Sequence, residues 1–124
     1  MLGSAPITTL LATMKPEVAK AFYGDVLGLK FITDDGFALV FEGKNMRLRV
    51  SRVPAMTPAP HAILAFNVDD IAKAMDGLAA KGVTFARFGF LPQDEKGVWA
   101  APDGTKVAWF HDPDLNMLSL VQAG

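Results

Sequence analysis

Hydrophobic positions change their period several times along the chain, and each change marks an element. Residues 7–13 are short, apolar and rich in threonine, the pattern of a buried strand. Pro16 follows where the first turn of a helix tolerates proline. From 16 to 27, Val18, Ala19, Phe22, Val26 and Leu27 recur at helical spacing, while Lys15, Glu17, Lys20 and Asp25 lie mostly away from them. Gly28 predicts the C-cap. Residues 29–33, 37–42 and 46–51 then predict three strands in a meander, joined by turns at 34–36 and 43–45. Alternation in the last of these sends Met46, Leu48 and Val50 toward the helix and Arg47, Arg49 and Ser51 to the opposite face.

Pro54, Pro58 and Pro60 break any regular element between 53 and 60, which reads as a linker. The same order of elements then begins again. A strand over 62–68 leads to a helix over 70–81 and a glycine stop at Gly82, followed by strands. In the first of these strands Ala62, Leu64, Phe66 and Val68 take one face and His61, Ile63, Ala65 and Asn67 the other. Further on come strands at 98–101, 105–111 and 117–121, separated by turns at Pro102-Asp103-Gly104 and at 112–116. Each half therefore predicts β-α-β-β-β. The chain reads as one domain, 1–124, made of a first module over about 1–57 and a second over about 58–124.

With 124 residues, 51% of them hydrophobic, the chain has material for one core and no room for a separate cofactor domain. The absence of cysteine excludes thiolate zinc sites, iron–sulfur clusters and a cysteine nucleophile, and it fits a reducing compartment. A net charge of −1 lacks the positive field of a nucleic-acid binder. No stretch approaches the about 18 apolar residues of a membrane span. The N-terminus has no basic region of a secretory signal, so the expected location is cytoplasmic. There is no G-x-S-x-G elbow, P-loop or dinucleotide fingerprint. The pairs Asp34-Asp35 and Asp69-Asp70 read as turn and helix-cap residues.

Three motifs add a resemblance. Phe22-Tyr23-Gly24-Asp25-Val26-Leu27-Gly28-Leu29 resembles the FYxxxLGL motif of the vicinal oxygen chelate superfamily, which includes glyoxalase I, extradiol dioxygenases and bleomycin-resistance proteins. Ala65-Phe66-Asn67-Val68-Asp69-Asp70 resembles the AFxVxD opening of that family's second module. Ala108-Trp109-Phe110-His111-Asp112-Pro113-Asp114-Leu115-Asn116 resembles its F-x-DPDGN segment, with Leu115 where the family has glycine. A left-handed turn there meets a β-carbon clash, so an altered turn is expected. The resemblance implies an α+β fold in which two tandem βαβββ modules form an open eight-stranded, cup-shaped sheet with helices outside and ligand within. It also implies a homodimer.

Metal-dependent members of the family hold a divalent ion on four strand residues, usually His and Glu. The matching positions here are Thr8, a position at or near Arg49, Ile63 and Ser119. Arginine offers no lone pair, isoleucine no donor atom, and neutral hydroxyls bind divalent ions weakly on their own. No metal site and no cofactor are therefore expected. A displaced site would have to draw on His61, Glu42 and His111, and two histidines without motif spacing are a poor start.

The candidate ligand-binding residues are Thr8, Arg49, His61, Ile63, Trp109 and Ser119. Arg49, if it points into an apolar cup, needs either an acid such as Glu42 or an anionic ligand. Trp99, Trp109, Phe88 and Phe90 offer an aromatic wall, with 88–92 as its rim, while His111 reads as a surface residue before a turn. Two functions remain open. One is a metal-free protein that sequesters a small aromatic or anionic molecule, as bleomycin-resistance proteins sequester their drug. The other is a glyoxalase-type lyase, isomerase or dioxygenase, using a divergent metal site or Arg49 and His61.

Overall fold

The computed structural model describes residues 1–124 as two compact units, Met1–Thr57 and Pro58–Gly124. In the first unit, strand β1 (Thr8–Thr13) leads into helix α1 (Pro16–Ala21), which a π-helical turn, Phe22–Val26, extends. Strands β2 (Lys30–Asp34), β3 (Ala38–Gly43) and β4 (Met46–Arg52) follow. They form one four-stranded sheet in the order β1-β4-β3-β2. β1 and β4 run parallel and the other pairs antiparallel. The helical crossover after β1 is what permits the parallel pair.

Local chemistry sets these boundaries. The Lys15 N–H donates to Thr13 Oγ1 at 2.9 Å as the chain turns into α1, and Pro16 occupies the first helical turn. At the other end the Leu27 N–H reaches back to Phe22 O at 2.9 Å, and Gly28 takes φ +78°. Tyr23, in the π-helical turn, is fully buried, with its ring 5.9 Å from that of Phe41 and 5.2 Å from that of Phe22. Ala19, Leu11, Leu39, Phe41, Leu48 and Val50 complete this core. Each large side chain among them contributes about 1.5–3 kcal/mol by burial.

The second unit repeats the order with β5 (Ala62–Asn67), α2 (Ile71–Ala79), β6 (Trp99–Ala100), β7 (Lys106–His111) and β8 (Met117–Gln122). Its sheet runs β5-β8-β7-β6, the same permutation as the first. Asp70 caps α2 by accepting the Lys73 N–H at 3.1 Å, and the Ile71 N–H donates to Gln122 Oε1 at 2.8 Å. The core is Ile71 and Met75 from α2 with Ala108, Phe110, Leu118 and Leu120 from the sheet. No helix in the chain is long and apolar enough to cross a membrane.

Three details depart from the sequence reading. Regular α-helix stops at Ala79 rather than 81, and a turn of hydrogen bonds onto Asp76, Leu78 and Ala79 carries the chain to Gly82 at φ +92°. No regular strand follows Gly82 until Trp99. Instead the Gln93 side chain accepts from Phe88 N–H at 2.7 Å and donates to Ala86 O and Gly97 O at 3.0 and 2.7 Å. These bonds satisfy backbone groups that a ladder would otherwise have to serve. The edge of the sheet is supplied by the two residues of β6.

The third departure is the 112–116 turn, which is not altered. Leu115 takes φ +69° despite its β-carbon, and its side chain stays largely in solvent. Asp112 Oδ1 accepts the N–H groups of Asp114 and Asn116 at 2.9 Å each, and Oδ2 accepts Asn116 Nδ2 at 2.8 Å. This buried network holds the backbone where a leucine alone would not go, against a cost of about 1–2 kcal/mol for the left-handed residue.

Candidate functional site

Each sheet has one face toward its helix and an opposite, more open face, on which Ala38, Val40 and Ser119 are nonetheless buried, and the strand registers place the side chains on these faces. In the first unit Leu48 and Val50 are buried beneath α1, whereas Arg47, Arg49 and Ser51 lie on the open face with the exposed Thr8 and Leu10 of β1. Thr8 stands beside Arg47 and Leu10 beside Arg49, so the candidates Thr8 and Arg49 are diagonal neighbours on that face. Val40 and Glu42 of β3 stand across from Arg49 and Arg47.

The arginines are tied by acids, and the acid that meets Arg49 is not Glu42. Glu42 holds Arg47 at 3.1 Å, while the partner of Arg49 is Asp35, at 2.7 Å. Arg52 makes a bidentate pair with Asp34, both contacts 2.6 Å. The hydrogen bonds of Arg52 and then of the Gly36 N–H draw the Asp34 carboxyl down to about 2. The Phe37 and Ala38 N–H groups, more than Arg49, hold Asp35 below the usual carboxylate range. Asp35 is thus anchored to its own turn on Oδ1 and offers only Oδ2 to Arg49. Reading 34–36 as a turn was correct and incomplete. Nothing local signals partners 14 and 18 residues away.

In the second unit, Trp109 stands opposite Ser119, and Ser119 in turn opposite Ala65, all on the open face. Trp99 is opposite Val107 on the same side. The structure brings the four predicted aromatics together. The Phe88 ring meets Trp109 edge-on at 5.2 Å, Trp99 lies 6.4 Å from Trp109, and Phe90 lies 5.7 Å from Phe88. Phe90 is 81% exposed, so this cluster ends in an apolar side chain presented to solvent. Gln93, which carries no local signal that would single it out, holds the Phe88 backbone in place.

The remaining candidates are less organised. Ile63 sits at a register irregularity of β5 and is partly exposed. Ser119 is buried, with its hydroxyl 3.4 Å from Leu64 O. His61 precedes β5 and is exposed, its Nδ1 3.2 Å from Ala62 O. His111 ends β7, exposed, opposite Met117.

A chelated divalent ion does not fit these residues. The strand positions carry a threonine, an arginine, an isoleucine and a serine, none of them an imidazole or carboxylate. No group of three or more histidine and carboxylate side chains converges to replace them, and Glu42 is engaged with Arg47.

Two βαβββ modules in tandem, each with its fourth strand parallel to its first, define the class of protein. The chain belongs to the Glyoxalase/Bleomycin resistance protein/Dioxygenase superfamily, whose family model matches residues 6–120. Solved structures share the fold at low identity. A protein from Bacillus anthracis assigned to the glyoxalase family aligns with a TM-score of 0.75 at 21% identity, over 94% of this chain and 93% of that one. Lactoylglutathione lyase from Agrobacterium tumefaciens aligns at 0.72 and 21% identity, over 96% and 93%. The bleomycin resistance determinant encoded on transposon Tn5 aligns at 0.73 and 20% identity, over 94% and 96%. No curated protein sequence matches the chain.

Proposed function

We propose that this protein binds and sequesters a small aromatic or anionic molecule without a chelated metal, in the manner of the superfamily's resistance proteins rather than its lyases. The observation that carries the reading is the aromatic cluster of Phe88, Phe90, Trp99 and Trp109 on an open sheet face. Flat, apolar, rigid surfaces of this kind stack on aromatic ligands at low entropic cost. Within the first unit, Arg49 supports the anionic alternative, because only one of its guanidinium N–H groups is engaged, by Asp35. In this reading Thr8 is neutral lining on the first unit's sheet, Ile63 and Ser119 are neutral lining on the second unit's, and His61 is an exposed polar residue before β5.

Both tryptophans of the chain lie in the cluster, so intrinsic fluorescence reports on it directly. Titration with aromatic carboxylic acids and with glycopeptide drugs should change that emission saturably and raise the melting temperature. Arg49→Ala should lower the melting-temperature rise given by anionic ligands and spare that given by neutral analogues. Absence of any saturable change, or stoichiometric tightly bound transition metal in the purified protein, would overturn the proposal. We further propose a cytoplasmic homodimer, since Ile7, Leu10 and Val18 of the first unit leave apolar surface uncovered in a single chain. Light scattering at micromolar concentration tests it, and a monomer refutes it.

A further inference from the structure

The two repeats diverge most between the helix and the edge strand. In the first unit the chain passes from Gly28 directly into edge strand β2, whereas in the second it leaves α2 at Gly82 and reaches edge strand β6 only at Trp99. Beside this detour is a groove of about 430 Å³, lined by the first turn of α2, by residues 92–98 and by the β6–β7 edge. Ala100 and Lys106, paired across that edge, alternate with Trp99 and Val107. The groove therefore lies on the helix-covered side of the sheet, opposite the aromatic cluster.

Its walls are largely apolar, contributed by Ile71, Pro92, Val98 and Ala100, and its volume falls in the range of about 300–1,000 Å³ typical of small-molecule sites. The charged lining is asymmetric. Lys96 is held by Asp76 at 3.1 Å, and Asp94 spends Oδ1 on the N–H groups of Lys96, Gly97 and Val98. Lys106 has no carboxylate partner. One uncommitted ammonium beside an apolar wall matches a single negative charge attached to an apolar body.

We propose that this groove is a second ligand site, taking a small monocarboxylate with an aliphatic chain or ring, its carboxylate at Lys106 and its body against Ile71, Pro92 and Val98. A dianion is disfavoured there because the Asp94 carboxylate faces the same space.

The test is an amide-shift titration of the ¹⁵N-labelled full chain with octanoate and inorganic phosphate through the millimolar range, and with 1-octanol up to its solubility limit. Octanoate should move Ile71, Ala72, Val98 and Ala100 saturably, and Lys106→Gln should weaken it at least fivefold while leaving 1-octanol unaffected. Lys106 is exposed, so the variant should fold as the parent does. Equal octanoate affinity in the variant overturns the proposal. So do shifts confined to the Trp99–Trp109 face, phosphate binding as strong as octanoate, or no saturable shift.

Discussion

The turn that ends β7 offers the sharpest test of how this fold is held, because its network is buried and reciprocal. Asp112 is 3% exposed and accepts three hydrogen bonds from within the turn, two from backbone N–H groups and one from Asn116 Nδ2. Asp112→Ala leaves all three donors short of an acceptor at about 1 kcal/mol or more each, so a loss of about 3 kcal/mol is expected. For a chain of this length that corresponds to a fall in Tm of roughly 10–15 °C. The side-chain contact can be isolated by exchanging its polarity. Asp112→Asn keeps an acceptor for the two backbone groups but sets one amide NH₂ against another, and Asn116→Asp sets two carboxylates together. The double exchange restores a donor facing an acceptor. Urea unfolding of the four proteins should show the double variant more stable than the sum of the singles by at least about 1 kcal/mol, the coupling expected of residues in direct contact. Additive losses would refute the account, and with it the claim that this network holds Leu115 left-handed.

Acid should loosen the strap between the β2–β3 turn and β4. The folded pKa of Asp34, about 2, lies below the ordinary value of 3.8, so the pair with Arg52 stabilises fully above about pH 4 and is lost as pH falls toward 2. The stability difference between wild type and Arg52→Gln should therefore be constant above pH 4 and shrink toward zero by pH 2 in urea melts; a difference that persists at pH 2 contradicts this. Gln93→Ala should cost about 1–3 kcal/mol, since its three bonds satisfy the backbone of the 86–97 loop. It should also alter tryptophan emission through Phe88, and an unchanged spectrum with unchanged stability would show the latch to be idle.

The sequence by itself determined the repeated β-α-β-β-β order and most strand faces, because periods of 2 and 3.6, glycine stops and proline breaks are local properties of the chain. Arg47, Arg49 and Ser51 could be assigned to one face for that reason alone, and the aromatic cluster could be nominated from residue type. Tertiary structure decided what those residues meet. Asp35 rather than Glu42 holds Arg49, a left-handed leucine survives on a buried aspartate network, and a glutamine side chain replaces a strand's ladder beside Phe88. In the arginine pairing the partners lie 14 residues apart, and in the other two the deciding term is a hydrogen-bond network that exists only once the turn or loop has closed. Periodicity records which way a side chain points, but the partner it finds depends on how separate segments are brought together.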